Sequence, residues 1–221
     1  MSLEDRIQTL RNRIDAACDR ARRDPATVEL LPVSKHQPLG LLRLAAERGF
    51  TRFGENYVQE GAEKALSAPN LDLLLIGPLQ RNKARLALIT FTEILTVDRL
   101  DLLERLQRIA AEEKLIRPIW LQVDLWEERT KAGGCPASSL SALLAAARQS
   151  PALPLQGFMC IPPPDHTAAF LQMAELRAHW QDRLGVPLKL SMGMSSDLET
   201  AIGAGSDQIR IGTAFFGNRA D

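Results

Sequence analysis

Two short stretches near the C-terminal end carry residue types that could hold an anion. Leu188-Lys189-Leu190-Ser191-Met192-Gly193-Met194-Ser195-Ser196-Asp197-Leu198-Glu199 and Gln208-Ile209-Arg210-Ile211-Gly212-Thr213 each read as a short apolar strand running into a turn of small residues. In the first, Ser196-Asp197-Leu198-Glu199 matches the S-x-x-E capping box of a helix start. A helix N-terminus gathers unpaired N–H groups and the positive end of the helix dipole, so phosphate is favoured there. Two such turns side by side predict a phosphate held by Ser195, Ser196, Gly212 and Thr213. The plainer reading is that these four only build turns and caps, as such residues usually do.

Two cations could act on the rest of such a ligand. Arg210 stands between Ile209 and Ile211, and on a strand the isoleucines take one side and the arginine the other. If the isoleucines pack outward, the guanidinium turns inward and needs acceptors. An internal ion pair with a carboxylate of another strand is the structural alternative. Lys35 follows the apolar run Val28–Ser34 on the side of Leu31 and Val33. Low-dielectric walls and a nearby arginine both lower a lysine pKa, and a partly neutral amine attacks aldehydes to form a Schiff base. A lysine snorkelling to solvent from a strand end is the alternative here. An aldehyde-seeking amine, a phosphate seat and an inward arginine together fit pyridoxal 5′-phosphate, which has an aldehyde, a phosphate and a ring nitrogen that needs a polar partner.

Lys35 and Arg210 lie near opposite ends of the chain, so the fold must bring them together. Residues 3–23 carry Leu3, Ile7, Leu10, Ile14 and Ala17 at helical spacing, with Pro25 as the stop. Strands are expected at Val28–Ser34, Arg52–Gly54, Leu73–Ile76, Glu93–Val97, Pro118–Leu125 and Leu155–Ile161, followed by the two stretches above. Helices are expected between them over 38–48, 56–67, 80–89, 99–114, 138–149 and 166–184. Repeated β-α alternation implies parallel strands with helical crossovers. Eight units predict a (β/α)8 TIM-type barrel with an extra N-terminal helix; a doubly wound open sheet is the competing architecture. In a barrel the strand C-termini form the functional face, with phosphate beyond strands seven and eight, where the two turns fall. With no linker, repeat or low-complexity segment, residues 1–221 are expected to form a single domain. The loop Glu127–Gly134 is the longest polar interruption and follows strand five.

Bulk properties narrow the function. Apolar residues make up 45% and charged residues 24%, as in ordinary soluble proteins. Lys+Arg and Asp+Glu balance at 27 each, which gives no charge reason to expect nucleic acid or an anionic membrane. The cluster Gln80-Arg81-Asn82-Lys83-Ala84-Arg85 reads as a solvated helix start. There is no signal-type apolar region and no membrane-length apolar run. Cys18, Cys135 and Cys160 are too scattered for a disulfide framework or zinc site, and His36, His166 and His179 lack metal-ligand spacing. A reduced, cytoplasmic protein is expected.

The chain resembles the pyridoxal-phosphate homeostasis protein family, which is similar in fold to the N-terminal barrel of alanine racemase. The motifs are Pro32-Val33-Ser34-Lys35, Phe53-Gly54-Glu55-Asn56-Tyr57-Val58-Gln59-Glu60, Ile76-Gly77-Pro78-Leu79-Gln80-Arg81-Asn82-Lys83, Leu190-Ser191-Met192-Gly193-Met194-Ser195 and Ile209-Arg210-Ile211-Gly212-Thr213-Ala214. The resemblance implies that Lys35 carries the Schiff base. It also implies that Ser195 and Ser196 with Gly212-Thr213 hold the phosphate, that Arg210 faces the pyridine nitrogen, and that Asn56 lies near the cofactor. Two departures touch the expected pocket rim: Leu73-Leu74-Leu75 where Trp-His-Phe is common, and His36-Gln37 after the lysine.

Arginine is a permanent donor, so the ring nitrogen opposite it stays unprotonated and is a weak electron sink. Alanine racemase works with a second base, a tyrosine from a separate C-terminal domain of its partner. Here the sequence ends soon after the eighth strand, and the only tyrosine is Tyr57. A carrier of pyridoxal 5′-phosphate, monomeric and handing its cofactor to apo forms of pyridoxal-phosphate enzymes, is therefore expected rather than catalytic turnover. An amino-acid racemase or related enzyme is the alternative.

Overall fold

A computed structural model of the chain describes residues 1–126, 133–163 and 168–217. His166 and most of the loop after the fifth strand, residues 127–132, lie outside them. Helix α1 (Leu3–Ala21) opens with a true capping box: Ser2 Oγ accepts the Asp5 N–H at 3.1 Å, and Asp5 accepts the Ser2 N–H at 2.8 Å. Its buried stripe is Leu3, Ile7, Leu10, Ile14, Ala17 and Cys18, the expected set plus one. The stop is not Pro25 itself. Arg22 turns left-handed at φ 54°, and Pro25 begins a short 3-10 turn.

Alternation then runs through β1 (Glu29–Pro32), α2 (Leu39–Ala46), β2 (Arg52–Glu55), α3 (Val58–Ser67), β3 (Asp72–Leu75), α4 (Ala84–Thr90), β4 (Glu93–Val97) and α5 (Leu100–Glu113). It continues with β5 (Ile119–Asp124), a two-residue β6 (Cys135–Pro136), α6 (Ala137–Arg148), β7 (Leu155–Met159), α7 (Ala168–Leu184), β8 (Lys189–Ser191), α8 (Leu198–Gly203), β9 (Gln208–Ile211) and α9 (Thr213–Phe216). The parallel sheet is ordered β1-β9-β8-β7-β5-β4-β3-β2, with β6 paired to β5 off this path. Eight strands thus form a nearly closed barrel, and the doubly wound alternative falls away. Of the strands, only β6 was not legible in the sequence, because two residues make no pattern; the short α9 was not expected either.

The seam between β1 and β2 consists of a single bridge, Val33 to Gly54, with the Ser34 N–H donating to the Gly54 carbonyl at 2.9 Å. A Cβ at Gly54 would lie 2.9 Å from Ile76 Cδ1 and 3.3 Å from Leu31 Cδ2, so glycine lets the seam close. Strand side chains alternate between two cores. Leu31, Val33, Leu74, Ile76, Leu95, Trp120 and Met159 fill the barrel axis, while Leu73, Leu75, Ile209 and Ile211 pack outward against the helices. Burial on both faces explains the continuous apolar runs. Leu73, Leu74 and Leu75 are all buried here, so that departure belongs to the core of β3 and not to a pocket rim.

At the N-terminal end of the barrel, Arg52 bonds Glu29 at 2.7 Å and Glu93 at 2.9 Å, and Trp120 Nε1 donates to Glu93 at 2.9 Å. A cavity of about 590 Å³ opens on this side, lined by these residues with Lys189, Asp207 and Gln208 among others. Its central arginine and two glutamates pair with one another, which makes them a plug for the barrel floor.

Candidate functional site

The opposite end gathers the chemistry. Lys35, Asn56, Ser195, Ser196, Arg210, Gly212 and Thr213 all follow or end β8, β9, β1 and β2, which are consecutive around the barrel. Arg210 is inward and buried, and Leu31 of β1 is its register partner. Its Nη1 donates to Ser191 Oγ and its Nη2 to the Cys160 carbonyl, both at 2.8 Å. Among the described residues no carboxylate pairs with it, so the internal ion pair is not what fills this position. Burial pulls its pKa below the ordinary guanidinium value, against the opposing influence of Cys160 and Asp197. Ser191 Oγ donates to Gln208 Oε1 at 2.7 Å, and Gln208 Nε2 donates to Glu29 at 2.8 Å. Arg210 is thus tied through two neutral side chains to the plug at the barrel floor.

The turn after β8 differs from its expected form in one respect. The residue before α8 is Asp197, not Ser196, and no side chain caps the helix. Asp197 Oδ1 instead accepts the Met194 N–H at 2.6 Å, and Glu199 is taken by Arg13 at 2.7 Å. The S-x-x-E pattern is therefore not a capping box, and the start of α8 is left uncapped by protein. Gly193 makes the turn possible: its φ is +97°, and a Cβ there would lie 2.5 Å from the Ala201 Cβ. The Arg210 N–H donates to the Gly193 carbonyl at 3.0 Å, tying this turn to β9. Helix α9 begins after Gly212, again with no side-chain cap. Among the described residues no hydrogen bond engages the hydroxyls of Ser195, Ser196 or Thr213.

Lys35, expected at the end of the first strand, stands three residues past β1 in the turn beyond it. It is half-buried, and among the described residues no hydrogen bond or ion pair engages its Nζ. The turn is held from below by a network that the sequence reading missed. Lys64 Nζ donates to the Ser34 carbonyl and to Glu55 Oε1, both at 2.6 Å, and to Glu60 Oε1 at 2.7 Å. Ser34 Oγ also donates to Glu55 Oε1 at 2.6 Å. Glu60 accepts the N–H of His36, a non-glycine residue held at φ 58°. Glu55 is fully buried, and burial pushes its carboxyl above the usual range against the pull of Lys64 and Ser34. The i, i+4 spacing of Glu60 and Lys64 was the available signal. Asn56 Oδ1 lies buried with no partner among the described residues. His36 is exposed at the rim, its ring 5.1 Å from that of Tyr57.

Other candidates are accounted for. Cys18, Cys135 and Cys160 are free and buried, with the Cys135 thiol pushed up to about 11 and Cys160 to about 12 by burial. Neither is a thiolate nucleophile at neutral pH. Arg81 pairs with Asp101, and Arg85 with Glu112 and Glu113, so both arginines of the basic cluster are paired, while Lys83 bonds the neutral Gln59 amide. Among the described residues no His/Cys/Asp/Glu group could hold a metal ion, and no helix is long and apolar enough to cross a membrane.

The molecule is a parallel barrel with a lysine, unpaired among the described residues, after its first strand and paired turns after its last two. Residues 6–220 match the family model described as alanine racemase, N-terminal domain. The pyridoxal phosphate homeostasis protein of Pseudomonas aeruginosa is 43% identical over 225 residues, covering 99% of this chain and 96% of that protein. The Escherichia coli K12 protein of the same name is 39% identical over 223 residues, covering 96% and 95%. Among solved structures, PipY of Synechococcus elongatus PCC7942, with PLP bound, has a TM-score of 0.86 at 35% identity over 98% of this chain and 100% of that one. Alanine racemase of Clostridium difficile 630 has a TM-score of 0.77 at 13% identity, with 99% of this chain and 57% of that one covered, a likeness of fold alone. The chain belongs to the pyridoxal phosphate homeostasis protein family, within the alanine racemase N-terminal domain class.

Proposed function

We propose that this chain binds pyridoxal 5′-phosphate at the C-terminal mouth of its barrel and serves as a store and donor of that cofactor. The observation that carries this reading is the Lys35 amine, without a partner among the described residues, on three neighbouring strands of the mouth with two uncapped helix starts and an inward arginine. PipY, related over nearly the whole chain and solved with PLP bound, supports the choice of ligand.

The residues fit that group. Ser195 and Ser196, with Gly212 and Thr213, offer hydroxyls and N–H groups to a phosphate. Gly212 leaves room beside it, since a Cβ there would find nothing nearer than Val33 at 3.7 Å. Arg210 would offer donors to the ring nitrogen, and Asn56 Oδ1, buried without a partner among the described residues, would offer an acceptor to the cofactor. When bound, the cofactor supplies an aldehyde that reacts reversibly with an amine, and Lys35 is the amine we assign to that Schiff base. Because the Arg210 guanidinium has donors and no acceptor lone pair, it would leave a ring nitrogen placed opposite it as an acceptor, which would favour storage over carbanion chemistry. We place this activity in a single cytoplasmic barrel domain acting as a monomer, with apo forms of pyridoxal-phosphate enzymes as recipients.

Mixing cofactor-loaded protein with such an apoenzyme is the test. The expected result is loss of the protein's visible absorbance matched by gain of enzyme activity. Absence of transfer, or rapid racemisation of an amino acid by the purified protein, would overturn the carrier reading.

A further inference from the structure

Helix α1 stands outside the β/α repeat, and the barrel closes without it. Its apolar stripe packs on α8 and α9, the two short helices that begin at the two turns. Two of its arginines reach beyond that packing. Arg13 Nη2 donates to the Ser195 carbonyl at 2.9 Å, while Arg13 Nε and Nη2 bond the two carboxylate oxygens of Glu199 at 2.7 and 2.9 Å. Arg6 Nε donates to the Phe215 carbonyl in α9 at 2.9 Å. An N-terminal element therefore grips the turn after β8 and the helix after β9 across nearly the full length of the chain.

We infer that Arg13 is a positioning residue for phosphate, holding the Ser195 carbonyl against α1 so that the Ser196 N–H turns away from it toward the barrel mouth. The geometry follows from the peptide unit. There is no cis bond among the described residues, and in a trans peptide the C=O and the following N–H point in opposite directions. The turn's other bonds, Met194 N–H to Asp197 Oδ1 at 2.6 Å and Asp197 N–H to the Met194 carbonyl at 3.3 Å, do not involve this peptide. Its rotation is therefore left to Arg13.

Glu199 fixes the guanidinium in that role. The bond from Arg13 is the main reason its carboxyl lies below the usual range, against a smaller opposing effect of burial. The planar fork matters too, because it meets a carboxylate through two donors and a carbonyl at once, which a lysine ammonium cannot reproduce. This also explains why the S-x-x-E pattern forms no cap: its glutamate serves the arginine and its helix start stays uncapped. The inference rests on the phosphate seat proposed above.

The test compares pyridoxal 5′-phosphate with pyridoxal, which keeps the aldehyde and lacks the phosphate. Binding of each is measured to the full chain, to Arg13→Ala and to Arg13→Lys, with thermal unfolding run alongside. For Arg13→Ala the expected result is a fall of about tenfold in affinity for the phosphorylated ligand, the scale of one lost charge-assisted hydrogen bond, with pyridoxal affinity unchanged. Arg13→Lys falls between. If Arg13→Ala does not fold, Arg13→Lys and Glu199→Gln carry the same comparison. Equal weakening toward both ligands would make Arg13 merely structural, and no change would remove it from the site; either overturns the inference. A wild-type chain that does not prefer the phosphorylated ligand defeats the seat itself. A wild type that does prefer it, with an Arg13→Ala variant preferring it as strongly, defeats only the role of Arg13.

Discussion

Lys35→Ala yields a folded protein from which borohydride recovers no covalently attached pyridoxal phosphate. The amine has no hydrogen-bond or ion-pair partner among the described residues, so its removal orphans nothing, and the stability change is expected within about 0.5 kcal/mol. The phosphate turns and Arg210 remain, so reversible binding persists in weakened form while covalent capture falls to background. Lys64 bonds the carbonyl of the residue preceding Lys35, yet it cannot take over: its Nζ is committed to Ser34, Glu55 and Glu60 at 2.6, 2.6 and 2.7 Å. Mass measurement of the reduced variant checks this, and a labelled Lys35→Ala chain would contradict the assignment of the amine.

Lys64→Met is the change expected to cost the most stability. Glu55 is fully buried, and losing its cationic partner leaves a carboxylate that only Ser34 supports. Breaking a buried pair by removing one member costs about 3–5 kcal/mol. The sign of the pH dependence follows from Glu55. Its folded pKa is raised above the ordinary 4.5, so the folded state keeps a proton that the unfolded chain has released. Stability from this group is therefore greatest at low pH and declines as pH rises from that value through the folded pKa. Without Lys64 the folded pKa moves higher still, so the deficit of Lys64→Met is small in acid and full at neutral pH. Urea unfolding at several pH values measures it, and adding Glu55→Gln should restore part of the loss. A pH-independent deficit would mean that Lys64 acts by packing alone.

How far the sequence revealed this molecule depended on the range of the interactions concerned. Ile209 and Ile211 flanking Arg210 are a local pattern, and alternation was enough to place the arginine inside. The apolar runs of β3 and β4 were legible for the same reason. The start of α8 was misread because its glutamate is bonded by Arg13, 186 residues away, and no window of sequence contains that contact. Helix α3 begins at Val58 rather than at residue 56, because Tyr57 is still extended at φ −124°, ψ 126°. Lys64 carries no local sequence signal of its burial. Its burial depends on Glu55 ending a strand directly beneath the Ser34–Lys35 turn, which only the closed seam between β1 and β2 brings about.

The central claim is that Lys35 is the amine that holds the cofactor, and the most direct measurement is a peptide map. The wild-type chain is loaded with pyridoxal 5′-phosphate, reduced with borohydride, digested and analysed by mass spectrometry. The predicted result is one modified peptide, the one containing Lys35. A principal adduct on Lys64, Lys83 or any other lysine, or no adduct at all, would contradict the claim.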